Sequence, residues 1–218
     1  MAILLKNINE NRFLFCNVIK MIKWKAKLIH SFIKEHDNIL DIGCATWKFC
    51  EDMHIISNLN YYGLEYNQEM IKICRKKWLN VISHDLNTWT LPFEDKKFDV
   101  IYCSHVIEHF PTTTQIKLFQ EFNRILKDDW RIIIFTPTWY HFSFIDDETH
   151  VRWHSHISLP ALANNTGFKT IECKYSFTRM FSQKMQWFFR WYPIPFYLTE
   201  IYLVWQKSWE NTFSKVYD

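Results

Sequence analysis

Apolar positions along the chain follow two rhythms. Residues 13–36 place them at helical spacing, interleaved with Lys20, Lys23, Lys25 and Lys27, which predicts a peripheral amphipathic helix. Residues 38–43 form a short apolar run closed by Gly43, the pattern of a buried strand ending in a glycine turn. Further strands are predicted over 61–65, 80–83, 98–103 and 131–135, the last holding three consecutive isoleucines. Helices fall between them, over 68–77 and over 114–127. The second carries Ile116, Phe119, Phe122, Ile125 and Leu126 on one face. A short helix over 159–166 and strands over 168–175 and 200–207 follow. Strand and helix alternating at this interval predict βαβ units and a mostly parallel sheet. Strands that read as unbroken apolar runs are covered on both faces, so the expected class is an open, doubly wound α/β fold with helices on both sides.

Composition narrows this picture. A chain of 218 residues with 48% hydrophobic and 22% charged residues is ordinary globular material. A net charge of +3 makes no electrostatic case for nucleic acid. No run of 18 apolar residues occurs, so no membrane span is expected, and Met1 to Leu5 is too short for the apolar region of a signal peptide. The 6 cysteines include no C-x-x-C pair and lie in apolar stretches. They read as small buried hydrophobes of a reducing compartment, and the expected location is cytoplasmic. Two counts are abnormal: 3 glycines, where ordinary usage gives about 15, and 11 tryptophans.

In open α/β sheets a ligand sits beyond the carboxyl ends of the strands. Four such ends carry chemistry in chain order. Asp41-Ile42-Gly43-Cys44-Ala45 closes the first, and Glu65 the second, 22 positions past Gly43. That is the interval at which an acid meets ribose hydroxyls in nucleotide sites. Asp85, followed by Leu86, closes the third, and Ser104-His105 runs from the fourth into Glu108-His109. The plain alternatives are a loop cap for Asp41 and Asp85 and a solvated surface acid for Glu65. Four strand ends in the correct order outweigh them.

From about residue 37 to 207 the chain resembles a class I S-adenosylmethionine-dependent methyltransferase of the small-molecule, ubiquinone-biosynthesis-like type. The resemblance rests on Ile39–Trp47, where the family has D-x-G-x-G-x-G, on Glu65 and Asp85, and on Leu91-Pro92-Phe93 leading to Phe98-Asp99-Val100-Ile101. Val106 to Phe110, Glu121 to Lys127, Ile132 to Pro137 and Thr166-Gly167-Phe168 continue it. It implies a seven-stranded sheet in the order 3-2-1-4-5-7-6, with the last strand antiparallel. It also implies S-adenosylmethionine as cofactor. Asp41 and Gly43 would face its methionine part, Glu65 the ribose hydroxyls and Asp85 the adenine amine with Leu86 near the ring, and Cys44, Ala45, Tyr66 and Ser104 would also bind the cofactor. A helical cap over 1–36 would precede the methyltransferase domain over 37–218.

The family's second and third loop glycines are Ala45 and Trp47 here. Trp130 stands where the family has a turn glycine, Trp78 at a helix C′ position, and Trp89 among turn-forming residues. Tryptophan thus occupies places where glycine is physically wanted, while glycine is scarce. A gene that uses UGA codons for glycine, translated with UGA as tryptophan, would produce both counts. The other reading is an authentic sequence whose cofactor loop is blocked by Trp47, a non-catalytic binding or scaffold domain.

His105, Glu108 and His109 are spaced i, i+3, i+4, which one helical face would gather. They are the candidate metal ligands, but loop hydrogen bonding is the favoured role and no metal is expected. His109 and, in the run from His150 to His156, His154 are the candidate catalytic bases. An aromatic-rich insertion over about 177–199, including Trp187 to Pro193, would be core, line an apolar or aromatic acceptor site, or rest on a membrane surface. The function expected is methyl transfer from S-adenosylmethionine to a small-molecule acceptor.

Overall fold

The computed structural model describes residues 25, 27–45, 59–77, 79–88, 90–138, 147–177 and 199–207. Seven strands form one sheet: β1 (Asn38–Ile42), β2 (Asn60–Glu65), β3 (Val81–Ser83), β4 (Phe98–Ser104), β5 (Leu126–Pro137), β6 (Phe168–Phe177) and β7 (Thr199–Lys207). Their order is β3-β2-β1-β4-β5-β7-β6. Strands β1 to β5 pair in parallel, and β7 runs antiparallel between β5 and β6. Three α-helices are described: α1 (Gln68–Lys76), α2 (Thr112–Ile125) and α3 (Ser158–Asn164). Single 3-10 turns span Leu86–Thr88 and Ile107–His109.

The period-two pleat sorts the central strands onto two faces. Leu40, Ile42, Ile101, Cys103, Ile132 and Ile134 pack with Leu118, Phe119, Phe122 and Ile125 of α2 and with Leu159, Leu162 and Ala163 of α3. Ile39, Val100, Tyr102, Ile133 and Phe135 face the other way, against Ile29 and Ile33 from the segment before β1. Helix α2 has no side-chain cap at its N-terminus. Lack of a cap costs about 1 kcal/mol, small beside four fully buried apolar side chains at about 2 kcal/mol each. Trp205 of β7 is fully buried against Phe119 and Phe168, and its indole N–H donates to Thr170 Oγ1 at 3.1 Å. This tryptophan belongs to the core in its own right.

The elements differ from the sequence reading at their ends. Helical turns before β1 stop at His30, short of His36, because residues 31–37 form turns instead. Lys34 N–H donates to Asp37 Oδ2 at 2.8 Å, and His36 takes φ +69°, which no α-helix accommodates. Helix α2 begins two residues early, at Thr112, with Pro111 as its extended N-cap, whose carbonyl accepts from Gln115 N–H at 3.0 Å. It ends at Ile125, because Leu126 is extended and opens β5, paired with Phe98 of β4. Between that pair and Val100–Arg131 the register slips, leaving extra residues on β5 where the family turn was expected. Residues 1–24 of the expected helical cap, Trp47, Trp78 and Trp89, and residues 178–198 of the aromatic insertion lie outside the described residues.

Candidate functional site

The carboxyl ends of β1, β2 and β3 meet at one edge of the sheet. Strand β1 runs beside β2 with Asp41 opposite Gly63, and β2 beside β3 with Glu65 opposite Ser83. Gly43 then turns with φ +67°, a left-handed backbone that suits glycine, and a Cβ there would lie 2.5 Å from Val106 Cγ2. Gly63 permits the equally close approach of the Cys44 thiol, 2.8 Å from where its Cβ would be. The loop is thus drawn onto β2: the N–H groups of Gly43 and Cys44 both donate to the Leu64 carbonyl, at 2.9 and 3.1 Å.

Glu65 completes this loop. Its Oε2 accepts from Ala45 N–H at 2.8 Å, and its Oε1 accepts from Tyr66 and Asn67 N–H, both at 2.8 Å. It is therefore not a solvated surface acid. Ala45 holds φ +45° without being glycine. Asp41 is 3% exposed and accepts from the Tyr61 hydroxyl at 2.9 Å. Burial pushes its carboxyl up to about 7, opposed by the Tyr61 hydrogen bond and reinforced by the neighbouring Glu65 charge. Asp85 Oδ1 accepts from Asn87 N–H and Nδ2, at 2.9 and 3.0 Å, so this residue does cap its loop. Leu86 opens the 3-10 turn and packs at the rim of the core, while Tyr66 is exposed.

This edge fits S-adenosylmethionine in its donor set. Glu65 Oε2 accepts one described bond and keeps a lone pair, whereas Oε1 already accepts two, and both described bonds of Asp85 fall on one oxygen. A tight glycine turn stands beside Glu65. Cys44 and Cys74 stay thiols here because burial drives both up; Cys74 Sγ donates to the Ala45 carbonyl at 3.1 Å.

A second group gathers beyond β4 and β5. Ser104 ends β4, and His105 follows with φ +55°, its N–H bonded to the Phe135 carbonyl at 2.9 Å. The expected helical face is therefore absent: a left-handed residue followed by a single 3-10 turn carries Glu108 and His109. Gln115 of α2, fully buried, clamps that turn by donating to the carbonyls of Ile107 at 2.7 Å and Phe110 at 3.0 Å. Glu108 is fully buried. Its Oε2 accepts from Thr136 Oγ1 at 3.1 Å, while Oε1 lies 3.5 Å from His105 Nδ1 and 4.0 Å from His150 Nε2. The Glu108 carbonyl also accepts from Val151 and Arg152 N–H, tying the segment after residue 147 to this turn.

His109 stacks near His150, with ring centroids 4.7 Å apart. Thr149 Oγ1 donates to Asp147 Oδ1 at 2.6 Å, which uses its single proton. The 2.9 Å contact between Thr149 Oγ1 and His109 Nδ1 is then donated by the imidazole, leaving the His109 Nε2 lone pair outward. His154 is 3% exposed, and among the described residues neither ring nitrogen has a hydrogen-bond partner. Burial first, and Arg152 second, pull it down to about 4, against the opposing pull of Glu108, so it is neutral at pH 7. Sequence reasoning had passed over Asp147, Thr149, Gln115 and Thr136. Asp147-Glu148-Thr149 carried a readable signal, because Asp147 Oδ1 accepts from Thr149 N–H at 2.9 Å in an Asx turn.

Residues 40–134 match the family described as methyltransferase domain. An uncharacterized protein of Methanocaldococcus jannaschii is 37% identical over 115 residues, covering 51% of this chain and 41% of that one. A probable tRNA methyltransferase 9B of Bos taurus is 32% identical over 98 residues, covering 44% and 20%. A demethylmenaquinone methyltransferase of Chlorobaculum parvum is 29% identical over 99 residues, covering 45% and 40%. The matched segment thus spans less than half the length of each of these relatives. The fold is similar to that of a SAM-dependent methyltransferase from Archaeoglobus fulgidus, with TM-score 0.69 at 21% identity over 86% of this chain and 94% of that one. No described helix is long and apolar enough to cross a membrane. The match to the methyltransferase domain family thus runs from within β1 to within β5, and the fold around it resembles that of S-adenosylmethionine-dependent methyltransferases.

Proposed function

We propose that the protein is an enzyme that moves a methyl group from S-adenosylmethionine to a small-molecule acceptor. The observation that supports this most is the register that sets the Gly43 turn, Glu65 and Asp85 at adjacent strand ends along one edge. Glu65 would hold the ribose hydroxyls, Asp85 the adenine amine beside Leu86, and the Gly43–Ala45 loop the methionine end. When bound, the cofactor supplies an electrophilic methyl group on sulfur. The protein's main contribution is to hold the acceptor in line with it. Where the acceptor must lose a proton, His109 is the better base, since Thr149 orients its ring and leaves Nε2 able to accept. His154 is the more deeply buried of the two.

The relatives divide on the acceptor, one being named for tRNA and one for demethylmenaquinone. The small net positive charge favours the small molecule. A non-catalytic binding domain is the competing reading, and the three internal hydrogen bonds of Glu65 favour it. Isothermal titration with S-adenosylmethionine separates the two. Binding followed by transfer of labelled methyl into the small-molecule fraction of an extract supports the proposal. Label in RNA overturns the acceptor class, and no binding overturns the enzyme.

A further inference from the structure

We propose that Glu108, His109 and His150 form a binding site for a divalent transition-metal ion. One donor atom from each lies within 4.8 Å of the others, at the carboxyl ends of β4 and β5. Glu108 provides the independent sign that a ligand belongs there. It is fully buried, and among the described residues its Oε1 accepts no hydrogen bond. A buried carboxylate with an unsatisfied oxygen is costly, and a cation beside that oxygen offsets the cost. Thr136 holds the other oxygen, so Oε1 keeps its direction.

His109 is prepared in the manner of a ligand imidazole. Asp147 accepts the Thr149 proton, Thr149 accepts from His109 Nδ1, and Nε2 is left as a donor of electrons, to the ion when one is bound and to an acceptor's proton only in the metal-free protein. A carboxylate–hydroxyl–imidazole chain of this kind fixes the tautomer and raises the basicity of the liganding nitrogen. His150 is held in the same turn by its N–H bond to the Asp147 carbonyl at 3.1 Å, with Nε2 4.0 Å from Glu108 Oε1. Bonds of about 2.0–2.2 Å bring such ligand atoms to within about 3.5 Å of one another, so small side-chain rotations must close the site. Two imidazoles and one carboxylate suit a borderline ion such as zinc or cobalt(II), leave positions open for water or an acceptor oxygen, and are a poor cage for magnesium. His105, 3.5 Å from Glu108 Oε1, lies outside the set.

The test reads metal alone, so it stands or falls apart from methyl transfer. The full chain is stripped with a chelator and titrated with cobalt(II) chloride, following visible absorption, then with zinc chloride as competitor. One equivalent of cobalt bound and displaced by zinc, with magnesium unable to compete, is expected. His109→Ala and His150→Ala should each weaken cobalt binding at least tenfold, and Glu108→Gln similarly. Thr149→Val, which removes the hydroxyl between Asp147 and the His109 ring, should weaken it about tenfold. His36→Asn, before β1, should leave it unchanged. If Glu108→Gln fails to fold by circular dichroism, the half-buried His109 carries the test. Absence of stoichiometric cobalt binding, or wild-type affinity in His109→Ala and His150→Ala, overturns the site.

Discussion

Ala45 N–H donates to Glu65 Oε2 at 2.8 Å, so the acid expected to hold a ribose also fastens the loop after β1. Glu65→Ala should therefore lower both cofactor affinity and stability. Loss of charge-assisted bonds to two hydroxyls costs about 1.5–3 kcal/mol of binding, roughly tenfold or more in Kd. Glu65→Gln keeps a neutral acceptor for the loop and should recover more of the stability than of the affinity. Calorimetric titration beside thermal unfolding of both variants reads the difference, and equal recovery of both would refute the ribose role.

Ala45 occupies a left-handed backbone at φ +45°. That conformation costs a non-glycine residue about 1–2 kcal/mol, whereas glycine adds about 0.4–1 kcal/mol of unfolded-state entropy. Ala45→Gly should be stabilising by up to about 1 kcal/mol, a rise of about 2–4 °C in Tm. A fall in Tm would show that the loop carries no strain there.

Asp41 makes stability fall as pH rises. The folded protein keeps its carboxyl protonated up to about 7, while the unfolded chain ionises near its ordinary value of 3.8. Between those values the native state binds the extra proton, so the contribution is complete below the lower and lost above the upper. Its size is on the order of 4 kcal/mol. Asp41→Asn should gain on the native sequence across this window when urea midpoints are compared. Parallel pH curves would contradict the burial assigned to Asp41.

His154 has the opposite dependence. Its folded value is about 4 against an ordinary 6.5, so the unfolded chain takes up a proton first as pH falls. The stability it contributes is present above about 6.5 and lost as pH drops through about 4. His154→Phe should flatten this acid limb while leaving the protein folded at pH 7. An unchanged limb would mean that the ring reaches water.

Tryptophan at glycine-like positions is checked on the protein itself. Peptide mass spectrometry of the chain made in its native host should show glycine at positions 47 and 130 if UGA is read as glycine there. Tryptophan at both would mark them as authentic. In that case Trp47→Gly with Trp130→Gly should lose stability and still bind no cofactor, as the non-catalytic reading requires.

Much of the fold was legible because hydrophobic period and strand-end chemistry are local properties. Apolar runs such as 38–42 and 98–103 located β1 and β4, and the 22-residue interval from Gly43 to Glu65 located the loop and its acid. Sheet order came through the family resemblance, and the structure agrees with it. What stayed hidden depends on partners distant in sequence. Leu126 became strand because Phe98 pairs with it, and Glu65 turned inward because the Gly43 loop brought Ala45 N–H to it. His105, Glu108 and His109 suggested a helical face by spacing alone. Gln115, eight residues beyond Ile107, instead clamps a tight turn that sets Glu108 and His109 beside His150. Residue types and periods are written along the chain, whereas hydrogen-bond partners are chosen only when the sheet brings its strand ends together.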